Sequence, residues 1–182
     1  KTARSNKISN TGGGLIAACY GALPWSDNIQ YISLNDYFLR DGSVKDSDVL
    51  MEKIKKAEGF VFSTPVYFGD RSSLLQEFIN FSHKKKVDFS GKAMGFISVG
   101  AKRNGGQETT NMYALQDFSN LGALVVGNGP PTSQFGGTCV GGNMGTMEND
   151  YFGIMTSMGV GRKVAQTARL FAAGKEEEAS NS

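Results

Sequence analysis

Three short, nearly unbroken apolar runs set the architecture of this chain: Gly59–Thr64 (GFVFST), Ala93–Val99 (AMGFISV) and Ala123–Gly127 (ALVVG). Continuous apolarity marks strands covered on both faces, as in a parallel sheet. A fourth run, Ile29–Leu34 (IQYISL), reads as a further strand. Helical patterns lie between the runs. Asp46 to Ala57 places Leu50, Ile54 and Ala57 on one face. Ser73 to His83 opens with the capping-box spacing Ser73/Gln76 and places Leu75, Phe78 and Ile79 together. Thr110 to Leu121 does the same with Met112, Leu115 and Phe118. A first helix is expected over Thr11 to Gly21, and a last over Tyr151 to Ala173, where Gly159 and Gly161 are potential breaks. Strands alternating with helices predict an α/β fold with a doubly wound parallel sheet. Its expected extent is one domain over residues 1–173, followed by a polar, disordered tail over 174–182.

Composition narrows the function. The net charge is +2, from 19 basic and 17 acidic residues, and the one lysine run, Lys84-Lys85-Lys86, reads as a solvated helix end. This argues against a nucleic-acid partner. No apolar run reaches membrane-span length, so no membrane partner is expected. One histidine, His83, and two cysteines, Cys19 and Cys139, exclude most zinc sites and a Cys-rich iron–sulfur site. His83 reads as a surface residue at a helix end. The cysteines read as a buried core thiol and a loop thiol, and their number points to a reducing, cytoplasmic setting.

The excess is in glycine, with 24 residues, and it gathers in loops. In doubly wound sheets ligands bind beyond the carboxyl ends of the strands. Thr2 to Thr11 carries small hydroxyl and amide residues into a helix N-terminus, followed by Gly12-Gly13-Gly14. Outward N–H groups, hydroxyl donors and the helix dipole suit a phosphate there, although the same residues also make an ordinary cap. Pro65-Val66-Tyr67-Phe68-Gly69-Asp70 offers two aromatics and free amides at a strand end, suited to a planar heterocycle or simply to a turn with core aromatics. Gly100 to Gln107 offers backbone donors and two cations. GxxxxGK[ST] is absent, as is GxGxxG between a strand and a helix, which argues against a nucleotide triphosphatase and a standard NAD-binding domain.

Together these loops resemble those of the flavodoxin-like NADPH-dependent FMN reductase superfamily. Thr2-Ala3-Arg4 and Ser9-Asn10-Thr11 look like the halves of its (S/T)-x-R…(S/G)-N-T phosphate loop, with a longer gap. Thr64-Pro65-Val66-Tyr67-Phe68-Gly69 is similar to its TPxYxG flavin loop. Gly91-Lys92-Ala93, then Gly100 to Gly106, resembles its third flavin loop, and Gly159–Leu170 its closing helix. The chain departs from the family in three ways. No strand precedes the first helix, Gly129–Gly145 is unusually long and Gly-rich, and the cysteine-pair motif of the iron–sulfur flavoprotein branch is absent.

The resemblance implies a five-stranded sheet of order 2-1-3-4-5 with helices on both faces. The first strand would lie between Ile29–Leu34 and Gly59–Thr64, so a segment upstream of Lys1, or one from elsewhere, is expected to fill that slot. FMN is implied as cofactor. Its phosphate would meet Arg4, Ser5, Ser9, Asn10 and Thr11, and its ring would rest on Pro65, Val66, Tyr67, Phe68 and Gly69. Gly100, Ala101, Lys102, Arg103, Gly105 and Gly106 would face the pyrimidine end, where Lys102 or Arg103 could balance charge on reduced flavin. NADPH or NADH would be the co-substrate, with a flavin, quinone or small organic molecule as acceptor; no catalytic side chain and no metal are implied. The alternatives are a flavodoxin-type electron carrier and a biosynthetic flavoenzyme specific for one metabolite. A homo-oligomer, dimer or tetramer, is expected, with the loop over 129–150 ordering against a partner subunit or over the flavin.

Overall fold

A computed structural model describes residues 8–180. Five α-helices surround a parallel sheet: α1 (Asn10–Ala22), α2 (Ser47–Lys56), α3 (Ser73–Lys84), α4 (Gln107–Asn120) and α5 (Tyr151–Ser180). The strands are β1 (Gly59–Pro65), β2 (Ala93–Gly100), β3 (Leu124–Val125) and β4 (Gly137–Val140). β1 pairs with β2 in register from Gly59↔Ala93 to Pro65↔Val99. The far edge of β2 takes two partners end to end: Leu124 lies opposite Ala93, and Gly137 opposite Ile97.

This differs from the expected 2-1-3-4-5 order in three places. Ile29–Leu34 forms no strand, and a 3-10 turn begins at Leu34. Strand formation needs a ladder partner, and among the described residues none pairs with this run. Among the described residues nothing pairs with the outer edge of β1, so Phe60 to Ser63 stay half-buried while β2 is buried throughout. The third difference is Gly129–Gly145, expected as a loop, which supplies β4. The chain leaves the sheet after Val126, whose N–H still donates to Met94 O at 2.9 Å. Asn128 closes the excursion: its amide nitrogen donates to Gly136 O (3.1 Å) and its Oδ1 accepts from Gln134 N–H (2.6 Å). Glycine then brings β4 home, since a Cβ at Gly136 would sit 2.4 Å from Phe96 O.

The period-two pleat of β2 divides the core. Met94 and Phe96 face α3 and α4, and Ala93, Ile97 and Val99 face α1 and α5. On the first face Phe62 stacks on Phe96 and Phe118 at 5.5 and 5.2 Å between ring centres. Such pairs contribute roughly 0.5–1.5 kcal/mol each beyond area burial. On the second face two helices nearly touch. A Cβ at Gly21 would meet Met158 O, and one at Gly161 would meet Ala18 O. The glycines expected to break the last helix are instead where its backbone approaches others, Gly161 against α1 and Gly159 against Asn128 O, and α5 runs unbroken through Ser180 where a disordered tail was expected. The expected Ser73/Gln76 box does not form: Ser72 takes the cap position of α3, and Gln76 Oε1 accepts from Arg71. His83 is exposed in the last turn of α3, as expected. No described helix is long and apolar enough to cross a membrane.

Gly161→Ala forces a methyl into the α1 backbone and is expected to lower stability by about 1–3 kcal/mol. Gly174→Ala, with nothing within 4 Å of its Cβ in the same helix, is expected to raise it by up to ~1 kcal/mol. Urea unfolding of both variants checks the opposite signs.

Candidate active site

Because the sheet is parallel, β1, β2 and β4 deliver their carboxyl ends to one edge, at Pro65, Gly100 and Val140. The N-terminus of α1 lies at the same edge. Ser9 caps it, its Oγ accepting from Gly12 N–H at 3.1 Å. Asn10, the first helical residue, reaches the loop after β4: its Nδ2 donates to Asn143 O (2.9 Å) and its Oδ1 accepts from Met147 N–H (3.1 Å). Thr11 Oγ1 lies 3.3 Å from Ser9 Oγ. The sequence thus places Ser9, Asn10 and Thr11 correctly at a helix start. Arg4 and Ser5 lie outside the described residues.

The loop after β1 is a tight hairpin. Tyr67 and Asp70 exchange two backbone hydrogen bonds, at 2.8 and 3.0 Å, around Phe68 (φ 52°) and Gly69 (φ 82°). Two consecutive positive φ values make a type I′ turn, whose first position favours Asn, Asp or Gly. Phe68 holds it at a cost of order 1–2 kcal/mol. The turn is braced at its base, where Thr64 Oγ1 accepts from Ser72 N–H at 3.0 Å. Arg71 behind it pairs with Asp117 of α4 at 2.5 Å. Tyr67 is 60 % exposed and Phe68 fully so, at 109 % of its reference area. The Phe68 and Gly69 N–H groups have no acceptor among the described residues.

The loop after β2 is held by the side chain of Gln107, the last residue of the Gly100–Gln107 segment. Its Oε1 accepts from Gly105 N–H (2.7 Å), and its Nε2 donates to Lys102 O (2.7 Å) and Cys139 O (3.1 Å). One buried amide therefore ties the loop to itself and to β4. Gly106, at φ 97°, packs on the turn, since a Cβ there would lie 3.0 Å from Gly69 Cα. Arg103 of the same loop is held by protein groups. Its guanidinium donates to Thr138 O at 2.8 Å, pairs with Asp150 and lies over the Phe152 ring at 5.3 Å. Asp150 also accepts from Val140 N–H and Gly153 N–H. An Asp directly before a helix is a start signal legible in sequence, but its grip on Arg103 is not. Within the loop the uncancelled cation is Lys102.

Residues 22–136 match the family described as NADPH-dependent FMN reductase. The chain belongs to that family. The match spans both the aromatic turn and the Gly100–Gly106 loop, while Ser9 to Thr11 and the loop after β4 lie outside it. An iron–sulfur flavoprotein of Methanocaldococcus jannaschii is 38% identical over 129 residues, 70% of this chain and 67% of that one. An NAD(P)H dehydrogenase (quinone) of Solidesulfovibrio magneticus is 32% identical over 79 residues, 42% and 39% of the two chains. Among solved structures, a flavodoxin, WrbA-like protein of Agrobacterium tumefaciens superposes with a TM-score of 0.64 at 20% identity, covering 88% of this chain and 90% of that one. The fold is flavodoxin-like and the chain is an oxidoreductase of its family.

The two thiols exchange their expected places. Cys139 is buried in β4, its Sγ 3.1 Å from Ser157 Oγ, and Cys19 is half-buried on α1. No group of three or more potential metal-ligating His, Cys, Asp or Glu side chains occurs among the described residues. Burial pushes the Cys139 thiol up to about 11, against the hydrogen bond from Ser157, which lowers it. The native state then keeps a proton that the unfolded chain loses first, near the ordinary thiol value of 9.0. The stability this contributes is present below that value and is lost as pH rises towards about 11, by about 3 kcal/mol in all. Denaturation at pH 8 and 10.5 should show a smaller loss in Cys139→Ala than in wild type.

Proposed function

We propose that the carboxyl edge binds FMN and that the protein passes two electrons from NADPH or NADH through it to a small organic acceptor, a flavin or a quinone. The observation that carries this reading is the aromatic turn braced against the glycine loop, with the Phe68 and Gly69 N–H groups open as donors. The residues fit the group. A planar ring with carbonyl and nitrogen acceptors suits two free amides beside exposed aromatics, and a phosphate suits the start of a 13-residue helix carrying Ser9 and Thr11 hydroxyls. When bound, the flavin supplies hydride and electron transfer. For a quinone, NAD(P)H and one proton yield NAD(P)+ and the hydroquinone.

The chain's own part is binding and placement. Ser9, Asn10 and Thr11 set the phosphate end, with Arg4 and Ser5 assigned there by sequence alone. Pro65, Val66, Tyr67, Phe68 and Gly69 support the ring. Gly100, Ala101, Gly105 and Gly106 present backbone to its pyrimidine end. Of Lys102 and Arg103, Lys102 is the cation free to balance negative charge, since Asp150 pairs with Arg103. The quinone named for the Solidesulfovibrio relative favours an organic acceptor over a pure electron-carrier role. A homodimer or tetramer belongs to this reading. It is supported by Ile16, Tyr20 and Leu23, an apolar row left exposed along α1 and bordering grooves that lie away from the aromatic turn.

Asn10→Asp tests the phosphate end. A carboxylate keeps the bond from Met147 N–H but loses the donation to Asn143 O, and it faces a phosphate with like charge. FMN affinity should fall at least tenfold, from a lost charge-assisted bond of roughly 1.5–3 kcal/mol. Riboflavin, lacking the phosphate, should bind both forms alike in fluorescence titrations. Equal losses for both ligands would trace the effect to the displaced 143–147 loop, and unchanged FMN binding would reduce Ser9-Asn10-Thr11 to a helix cap.

A further inference from the structure

The chain carries two Asn-Gly pairs, Asn104-Gly105 in the loop after β2 and Asn128-Gly129 after β3. Such a pair is chemically labile in any protein. Glycine has no side chain to shield its backbone nitrogen, which can then attack the carboxamide carbon of the asparagine before it. The fold itself demands the pair at 104–105. Asn104 holds φ 56°, in the left-handed region that asparagine tolerates better than most residues. At Gly105 a Cβ would lie 2.8 Å from Lys102 O, so a larger residue has no room.

The two pairs differ in what restrains them. Asn128 is fully buried. Its Nδ2 donates to Gly136 O (3.1 Å) and its Oδ1 accepts from Gln134 N–H (2.6 Å), so its carboxamide is pinned and shut off from water. Asn104 is exposed, and its carboxamide has no hydrogen-bond partner among the described residues. Here the restraint lies on the nucleophile: Gly105 N–H donates to Gln107 Oε1 at 2.7 Å. That bond fixes the peptide plane and holds the proton that attack must remove. Gln107 is buried and anchored in turn, its Nε2 donating to Lys102 O and Cys139 O. We propose that Asn104 is a self-modification site that converts spontaneously to aspartate and isoaspartate, with the Gly105–Gln107 bond as its gate. When the bond opens, the Gly105 nitrogen loses its proton to base and attacks Asn104 Cγ. The new C–N bond closes a succinimide ring as ammonia leaves. Water then opens the ring at either carbonyl. The net reaction is asparagine plus water to a carboxylic acid plus ammonia, with nothing oxidised or reduced. The product carboxylate lies two residues from Lys102, the uncancelled cation of the loop, and lowers the net charge from +2 to +1. The isoaspartate form also lengthens the backbone within the left-handed turn. The inference uses the loop's own atoms and stands apart from the flavin reading.

The test incubates the protein at pH 8 and 37 °C and follows the amide-to-acid mass increase at each asparagine by fragment-ion sequencing. In folded wild type Asn104 should convert at least about fivefold faster than Asn128. In 6 M guanidinium chloride, where the restraints are gone, the two should convert within about twofold of each other, and Asn104 faster than in the folded protein. Gln107→Met keeps the side chain's length and removes its acceptor. It should raise the Asn104 rate at least about threefold and leave Asn128 unchanged. Enzymatic methylation of isoaspartate should label aged wild type and not aged Asn104→Gln. Folded wild type in which Asn104 converts no faster than Asn128 overturns the proposal, as does equal labelling of Asn104→Gln. An unchanged Asn104 rate in folded Gln107→Met removes Gln107 as the gate. Should that variant fail to fold, wild type decides the point: an Asn104 rate as high in the folded protein as in denaturant shows that no gate exists.

Discussion

The near-contact of α1 and α5 through Gly21 and Gly161 governs the rest of the molecule. Two helices whose backbones approach this closely can lie together on one face of a narrow sheet. That packing lets α1 cover β1 and β2 while α5 reaches β4. It also fixes where α1 begins. With the helices in van der Waals contact near Ala18 and Met158, the first turn of α1 falls beside the loop after β4, where Asn10 clasps Asn143 and Met147. A larger residue at either glycine would separate the helices and move the helix start away from the sheet edge. The dipole end of α1 and the loops of the sheet are thus brought together by the packing of α1 on α5.

At the edge itself, polar side chains do what apolar packing cannot do for loops. Gln107 is buried, yet both ends of its amide are used, so its burial carries no desolvation penalty from an orphan group. Asp150 binds the end of β4, the start of α5 and Arg103 with one carboxylate. Each hub joins segments far apart in sequence. Removing either would release a loop rather than weaken a core, and the site would lose geometry before the fold lost stability.

The sequence made the β1, β2 and α2–α4 elements legible because continuous apolar runs and 3.6-residue periodicity are local properties. Helix α5 was visible too, but the unbroken passage through Gly159 and Gly161 was not, since the reason lies in partners from α1 and the loop at Asn128. The split edge strand was hidden for a similar cause. Gly137–Val140 is polar and Gly-flanked, and it becomes a strand only because β2 offers a free edge there. Ile29–Leu34 is the converse: a good strand composition with no ladder partner among the described residues. At the site, the helix cap at Ser9 and the aromatic turn could be read from residue order. The capture of Arg103 by Asp150 could not, because it depends on the tertiary course of a chain that passes through β4 between them.

Backbone strain is distributed in a way that bears on this division. Asp46, Lys86 and Ser133 hold positive φ elsewhere, while Phe68, Gly69, Asn104, Gly106 and Gly145 do so in loops at the carboxyl edge or at the turn beside it. Beneath them lies β2, whose eight residues are all buried. A left-handed residue persists only where its surroundings leave it no alternative, and a fully buried central strand flanked by braced loops supplies that constraint. Glycine meets the demand at most of these positions without steric cost. At position 68 a phenylalanine meets it instead, in a turn that asparagine would suit better. The well-packed sheet thus maintains an unfavourable backbone conformation at Phe68, and with it an exposed aromatic ring at the sheet edge.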